Sequence, residues 1–130
     1  MLKYSLFEVR VAGFIFNNKK ELLLLKNDEG TWGILGGHLE EGEQIEETLH
    51  REAHEETSLA LQKIIYFGTR NIGASFVVGF SCKVKEGKIK LQVEEVQDYK
   101  WVRLNELKKF KLTFKELPAE AAKAFHVMFD

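Results

Sequence analysis

Residues 36–59 read GGHLEEGEQIEETLHREAHEETSL, and this stretch decides the fold. In its second half Ile45, Leu49 and Ala53 recur every four positions, with Glu-rich filling and neither Gly nor Pro, which predicts a helix over 44–57. At about 100° per residue, Glu52, Glu55 and Glu56 share an arc of roughly 100° and form one acidic face. Glu56 also falls at about 40°, inside the apolar stripe that Ile45, Leu49 and Ala53 spread from about 20° to about 100°. A carboxylate directed toward a core needs a cation, because burying an unpaired charge costs several kcal/mol or more. Glu46 and Glu47 point away from the cluster and read as solvated surface, as do His50 and His54 on the opposite side. Arg51 lies within reach of Glu47, Glu55 or Glu43 and cannot neutralise all of the acids.

Between Glu40 and Glu56 lie eight acids and one Arg, although the whole chain has a net charge of only −1. Oxygen ligands clustered without His or Cys suit a hard ion, Mg²⁺ or Mn²⁺. A Glu-rich helix taken alone is more often plain solvated surface, so the residues around it must supply the specificity.

Upstream, 7–16 and 21–26 are apolar, aromatic and β-branched runs joined by Asn17-Asn18-Lys19-Lys20, which reads as a hairpin. Residues 30–42 hold five glycines and no clear periodicity, which predicts a loop system. Downstream, 61–69, 74–85 and 89–93 read as strands, the last two joined by a turn at Glu86-Gly87-Lys88. Trp101 and Val102 belong to one more strand. Residues 104–108 read as a short helix and 117–129 as a longer one, with Pro118 in its first turn. Strands around a central helix with a second helix at the end predict an α+β protein, an α/β/α sandwich with a mixed β-sheet packed between helices. The 130 residues suit one domain over 1–130.

Gly37, Glu43, Arg51-Glu52, Glu55-Glu56 and Leu59 match the spacing G-x5-E-x7-R-E-x-x-E-E-x-x-L, which resembles the signature of the Nudix hydrolases. The match covers about a fifth of the chain, and the order of the flanking elements is similar to the family fold throughout. Two residues depart from the pattern. Ser58 stands where the family usually has Gly, just past the helix, where a left-handed backbone would cost Ser roughly 1 kcal/mol. Leu35 replaces a frequent Pro without removing a ligand.

The resemblance implies Mg²⁺, or Mn²⁺, bound by Glu52, Glu55, Glu56 and the carbonyl of Gly37, with Glu43 and Arg51 as orienting partners. It implies Glu95, in competition with Glu94, as a further ligand or base, and Lys26 as a phosphate-binding cation. Any of Glu52, Glu55 or Glu95 could be the general base. Phe76 is assigned to substrate binding; Trp32, Tyr66 and Phe80 could also stack on a base but read more readily as core. The implied reaction is hydrolysis of a pyrophosphate bond in a nucleoside diphosphate linked to a group X. A nucleoside triphosphate of the MutT type leads, by elimination. The alternatives are ADP-ribose, a dinucleoside polyphosphate or capped RNA as substrate, a non-catalytic nucleotide-binding module, or a metal-free structural domain.

A small nucleotide is the expected partner, and a homodimer is compatible with the sequence. The net charge of −1 argues against nucleic acid and membrane surfaces. The N-terminus lacks a signal core, no stretch approaches a membrane span, and the one cysteine, Cys82, excludes an intramolecular disulfide; together these predict a cytoplasmic protein with Cys82 as a buried bystander.

Overall fold

The computed structural model describes residues 4, 6–85, 88–91, 94 and 96–130. Strands β1 (Glu8–Phe16) and β2 (Leu22–Asn27) are joined by the predicted turn, where Asn17 Oδ1 accepts from the amides of Lys19 at 3.0 Å and Glu21 at 2.9 Å. The Gly-rich segment is more ordered than its composition suggests. It contains β3 (Trp32–Gly33) and β4 (Leu35–His38), so the expectation of a pure loop over 30–42 is corrected. Gly36 and Gly37 pair with Ala12 and Val11 of β1 through their backbones, which hydrogen-bond without needing an alternating side-chain pattern.

Helix α1 (Ile45–Thr57) follows, then β5 (Leu61–Ile72), β6 (Ser75–Val84), β7 (Val96–Val102), a 3₁₀ helix (Leu104–Lys109) and α2 (Leu117–Phe129). The expected strand over 89–93 is a second correction. Ile89, Lys90 and Leu91 lie in no strand, while Glu86, Gly87, Gln92 and Val93 fall outside the described residues. The reason is local: the Lys90 amide donates to Thr57 O at 3.0 Å and its carbonyl accepts from Ser58 Oγ at 3.1 Å, so this segment spends its bonds on the end of α1.

The strand order is β3-β2-β1-β6-β5, with β4 also on β1 and β7 also on β2. β1 runs parallel to β6 over nine pairs and antiparallel to β4, so the sheet is mixed. Between β1 and β2 the register has a single pair, Phe16↔Leu22, so the two strands separate immediately beyond their turn. Alternation along β1 then feeds two cores. Val11 and Ile15 pack with Leu35, Leu49 and Ala53 beneath α1. Phe14 and Phe16 pack with Leu117, Ala121 and Ala124 beneath α2. Cys82 is buried in the first core, which pushes its thiol up to about 12.

Ser58 takes the left-handed conformation expected for the helix end, at φ 64 and ψ 10. Its hydroxyl offsets that strain by holding Lys90 O. Ser58→Ala is therefore expected to cost about 1 kcal/mol, whereas Ser58→Gly, which relieves the strain but loses the bond, should lie within about 0.5 kcal/mol of the parent. Chemical denaturation of the three proteins checks the order.

Candidate active site

Strand β4 ends at Gly37-His38, and the chain then turns through Gly42, at φ 87, into α1. The helix starts with a capping box: Glu47 Oε1 accepts from the Gln44 amide at 2.9 Å, satisfying an amide that the helix itself leaves without a partner. Glu47 is thus a cap and not a partner of Arg51. Arg51 instead takes Glu43 in both hands, with Nε to Oε2 at 2.7 Å and Nη2 to Oε1 at 3.1 Å. The same guanidinium donates to His38 O at 3.1 Å, to Glu52 Oε1 at 3.0 Å and to Glu55 Oε2 at 3.2 Å. One cation therefore ties the loop, the end of β4 and the helix into a single frame.

Within this frame the carboxylates differ. The Arg51 hydrogen bonds hold Glu43 down to about 2, helped by the Glu40 amide and the Thr48 hydroxyl. Burial pushes Glu52 the other way, above its ordinary value, with Arg51 opposing the shift and the charges of Glu55 and Glu40 adding to it. A depressed carboxyl contributes stability that is present above its unfolded value and is lost as pH falls through the folded one. The Glu43 pair should accordingly persist through pH 4 and fail only as pH approaches about 2. Carboxyl-carbon NMR titration checks this, and a Glu43 midpoint near 4.5 would exclude the frame.

Glu52 lies directly over Gly37. A Cβ on that residue would fall on the Glu52 carboxyl group, 2.5 Å from its Cγ, so the close approach needs glycine. Glu56 is half-buried and lines a cleft of about 600 Å³ that opens where β1 and β2 separate. Glu55 is exposed at the solvent side of Arg51. Among the described residues no three His, Cys, Asp or Glu side chains close on one point. Mg²⁺ does not require such a cage, since it commonly keeps several waters and takes one or two carboxylates together with substrate phosphates. The donor set of Glu52, Glu55, Glu56 and the Gly37 carbonyl is all oxygen and fits such an ion. Glu95 lies outside the described residues; Glu94 is exposed.

Lys26 lines the cleft together with Glu56. Phe76, the residue assigned to substrate binding, is not part of this cleft wall. Its neighbours Val77 and Gly79 face the cleft, and strand alternation turns Phe76 to the opposite side, where its ring meets Phe7 edge-on at 6.5 Å. Phe80 is core, Trp32 packs on Phe110, and Tyr66 is exposed with its hydroxyl 2.7 Å from Thr69 Oγ1. Sequence reasoning missed Arg10, Arg70, Lys123, Phe14, Phe67 and Phe114, which also line the cleft. Arg10 and Arg70 are aligned through Val77, which pairs with both, yet they are 60 residues apart in the chain. Only long-range strand pairing reveals them.

The NUDIX domain family model matches residues 6–125, and the chain belongs to this family. Among curated relatives, the NAD-capped RNA hydrolase NudC of Mannheimia succiniciproducens is 42% identical over 79 residues, covering 59% of this chain and 30% of that protein. The chain spans about a third of the length of the curated relatives it matches. Among solved structures, the NUDIX domain of NrtR from Shewanella oneidensis, complexed with ADP ribose, superposes with a TM-score of 0.80 at 22% identity, covering 98% of this chain and 90% of that one. The MutT protein of Methanosarcina mazei superposes with a TM-score of 0.74 at 21% identity over the full length of both chains. No described helix is long and apolar enough to cross a membrane.

Proposed function

We propose that the protein is a divalent-cation-dependent pyrophosphohydrolase that adds water across the pyrophosphate bond of a nucleoside diphosphate linked to a group X, giving two phosphate-containing products. The observation that carries this reading is the convergence at one cleft: Glu56 and Lys26 line it, Glu52 overlies Gly37 at the adjoining strand end, and Arg51 joins the two acidic segments. Arg10, Lys26, Arg70 and Lys123 outnumber the acids Glu56 and Glu120 in the cleft wall, which suits an anionic ligand. Phe14 and Phe67, edge-to-face at 5.4 Å, and Phe114 supply the apolar surface for a base.

Glu52, Glu55, Glu56 and the Gly37 carbonyl would hold Mg²⁺ or Mn²⁺, which when bound offsets the charge of the pyrophosphate and lowers the pKa of a water. Glu43 and Arg51 orient this set, and Glu52, whose protonation burial already favours, is a candidate proton acceptor. Glu55 and Glu95 stay as alternative bases.

Two substrate classes compete for X. A nucleoside triphosphate, giving the monophosphate and pyrophosphate, is the reading by elimination. A diphosphate joined to a second sugar or nucleoside is favoured by the names of the relatives and by the charged cluster of Arg70, Glu120 and Lys123 along the cleft, where Glu120 lies 3.6 Å from Arg70 and 3.8 Å from Lys123. We adopt the second. The test is a product assay with nucleoside triphosphates, ADP-ribose, NAD and dinucleoside polyphosphates, with Mg²⁺, Mn²⁺ or EDTA. Mg²⁺-dependent release of a nucleoside monophosphate from a two-sugar diphosphate supports the choice. Turnover of triphosphates alone would reverse it, and no turnover of any compound would refute the enzyme reading.

A further inference from the structure

Strand β5 carries a bulge at Phe67. Tyr66 pairs with Phe80 and Gly68 with Gly79, so Phe67 is an extra residue with no partner on β6, and strand parity shifts there. Phe80 belongs to the core beneath α1. Without the extra residue Arg70 would share the face of Tyr66 and point to that side of the sheet; with it, Arg70 joins Val77 and Gly79 on the cleft wall. His38, Arg10, Val77 and Arg70 lie in one row across four strands, which places Arg70 two strand spacings, about 10 Å, from Arg10. Arg10 is therefore beside the strand end where Glu52 overlies Gly37, and Arg70 is remote from it.

At this remote end Arg70 meets α2. Its guanidinium lies 5.6 Å from the centre of the Phe114 ring, 3.6 Å from Glu120 and 3.9 Å from Glu116, and Lys123 approaches Glu120 to 3.8 Å. These ion pairs are longer than hydrogen bonds. Among the described residues no group donates a hydrogen bond to the Glu120 side chain, although only 16% of it is exposed. A carboxylate so placed in a cleft wall has its acceptor positions open. Two cations and two acids balance here, whereas Arg10 and Lys26 elsewhere in the wall are offset by one acid, Glu56.

We propose that this end of the cleft is the specificity site for group X, that it takes an uncharged ring bearing vicinal hydroxyls, and that Glu120 selects the ring by accepting from two of them. The proposal rests on reading the cleft as a site for a diphosphate joined to a second sugar or nucleoside. A diphosphate held beside Arg10 leaves space for one sugar ring before Arg70 is reached. Two adjacent O–H donors match the two oxygens of one carboxylate. Arg70, fixed on the Phe114 ring, keeps that carboxylate at the wall without using up its acceptors. The same charge repels phosphate, so an X that carries a phosphate in place of a hydroxyl is excluded. Glu120 thus chooses the substrate and takes no part in bond cleavage.

The experiment uses three ADP derivatives that differ only in X: ADP-ribose, ADP-ribose 1″-phosphate and the n-pentyl ester of ADP. Steady-state kcat and KM are measured in Mg²⁺ for the parent, Glu120→Gln and Arg70→Gln. The parent should prefer ADP-ribose to either other compound by at least about tenfold in kcat/KM, as expected for hydrogen bonds to a charged group. Glu120→Gln should raise KM for ADP-ribose about tenfold with kcat within about threefold. It should also raise kcat/KM for the 1″-phosphate at least about fivefold, because Arg70 and Lys123 are then opposed by Glu116 alone. A gain on one compound beside a loss on another cannot come from misfolding. Arg70→Gln, which leaves the acids in excess, should lower kcat/KM for the 1″-phosphate. If Glu120→Gln keeps the parent's preference for ADP-ribose, or gains nothing on the 1″-phosphate, the specificity site is overturned while the diphosphate reading stands. If none of the three compounds is hydrolysed, the hydrolytic reading fails; calorimetric binding of the same compounds in Ca²⁺ then decides the site, and equal affinity of parent and Glu120→Gln for each of them overturns it.

Discussion

Glu56→Gln is expected to lower Mg²⁺-dependent turnover about a thousandfold while the melting temperature of the metal-free protein stays close to that of the parent. The substitution preserves volume and shape and exchanges one acceptor oxygen for a donor amide, so packing around this half-buried cleft residue is retained. What is lost is one negative charge beside the cleft, and with it part of the attraction for a divalent cation. The checks are steady-state rates with varied Mg²⁺ and the thermal shift that Mg²⁺ produces. Unchanged turnover would remove Glu56 from the metal set, and an unchanged Mg²⁺ shift would separate binding from catalysis.

Gly37→Ala should be nearly as damaging, by a different route. The added methyl would overlap the Glu52 carboxyl group and lie 2.5 Å from Glu52 Cγ, far inside contact distance. Either β4 withdraws from β1 or the carboxylate leaves Gly37 and its bond to Arg51. Both outcomes move the proposed ligands by more than the fraction of an ångström that a catalytic site tolerates. The expected result is a loss of at least about a hundredfold in kcat/KM together with a stability cost of about 2 kcal/mol. Gly30→Ala serves as a control for glycine loss at a left-handed turn, since a Cβ there meets nothing within 4 Å. That variant should be strained but active.

Particular residues show how much of this was legible in the sequence. The four-residue spacing of Ile45, Leu49 and Ala53 located α1 to within one residue, because a helix writes its buried face into local periodicity. Helix α2 likewise matches the predicted 117–129. Strand β4 was hidden because Gly36 and Gly37 pair through the backbone and present no side-chain alternation. Phe76 lies one step of strand parity from the cleft wall, which its neighbour Val77 faces, and single-strand periodicity does not tell the two faces apart. The glutamates of α1 were legible as a group because they are contiguous on one helix. Of the cleft cations only Lys26 was reached, through the family resemblance; Arg10, Arg70 and Lys123 come from two strands and α2, and only tertiary pairing gathers them.

The parting of β1 and β2 after the single pair Phe16↔Leu22 separates two kinds of duty in the molecule. The Arg51 frame hangs on β1 through β4, whereas the cleft residues Lys26, Gly33 and Val96 are carried by β2 and its partners β3 and β7. Because few backbone bonds join these halves, the second can be altered in sequence without pulling on the first. The fold can therefore be retargeted: exchange of residues on β2, β3 and β7 would change which molecule is admitted while the hydrolytic apparatus is inherited intact.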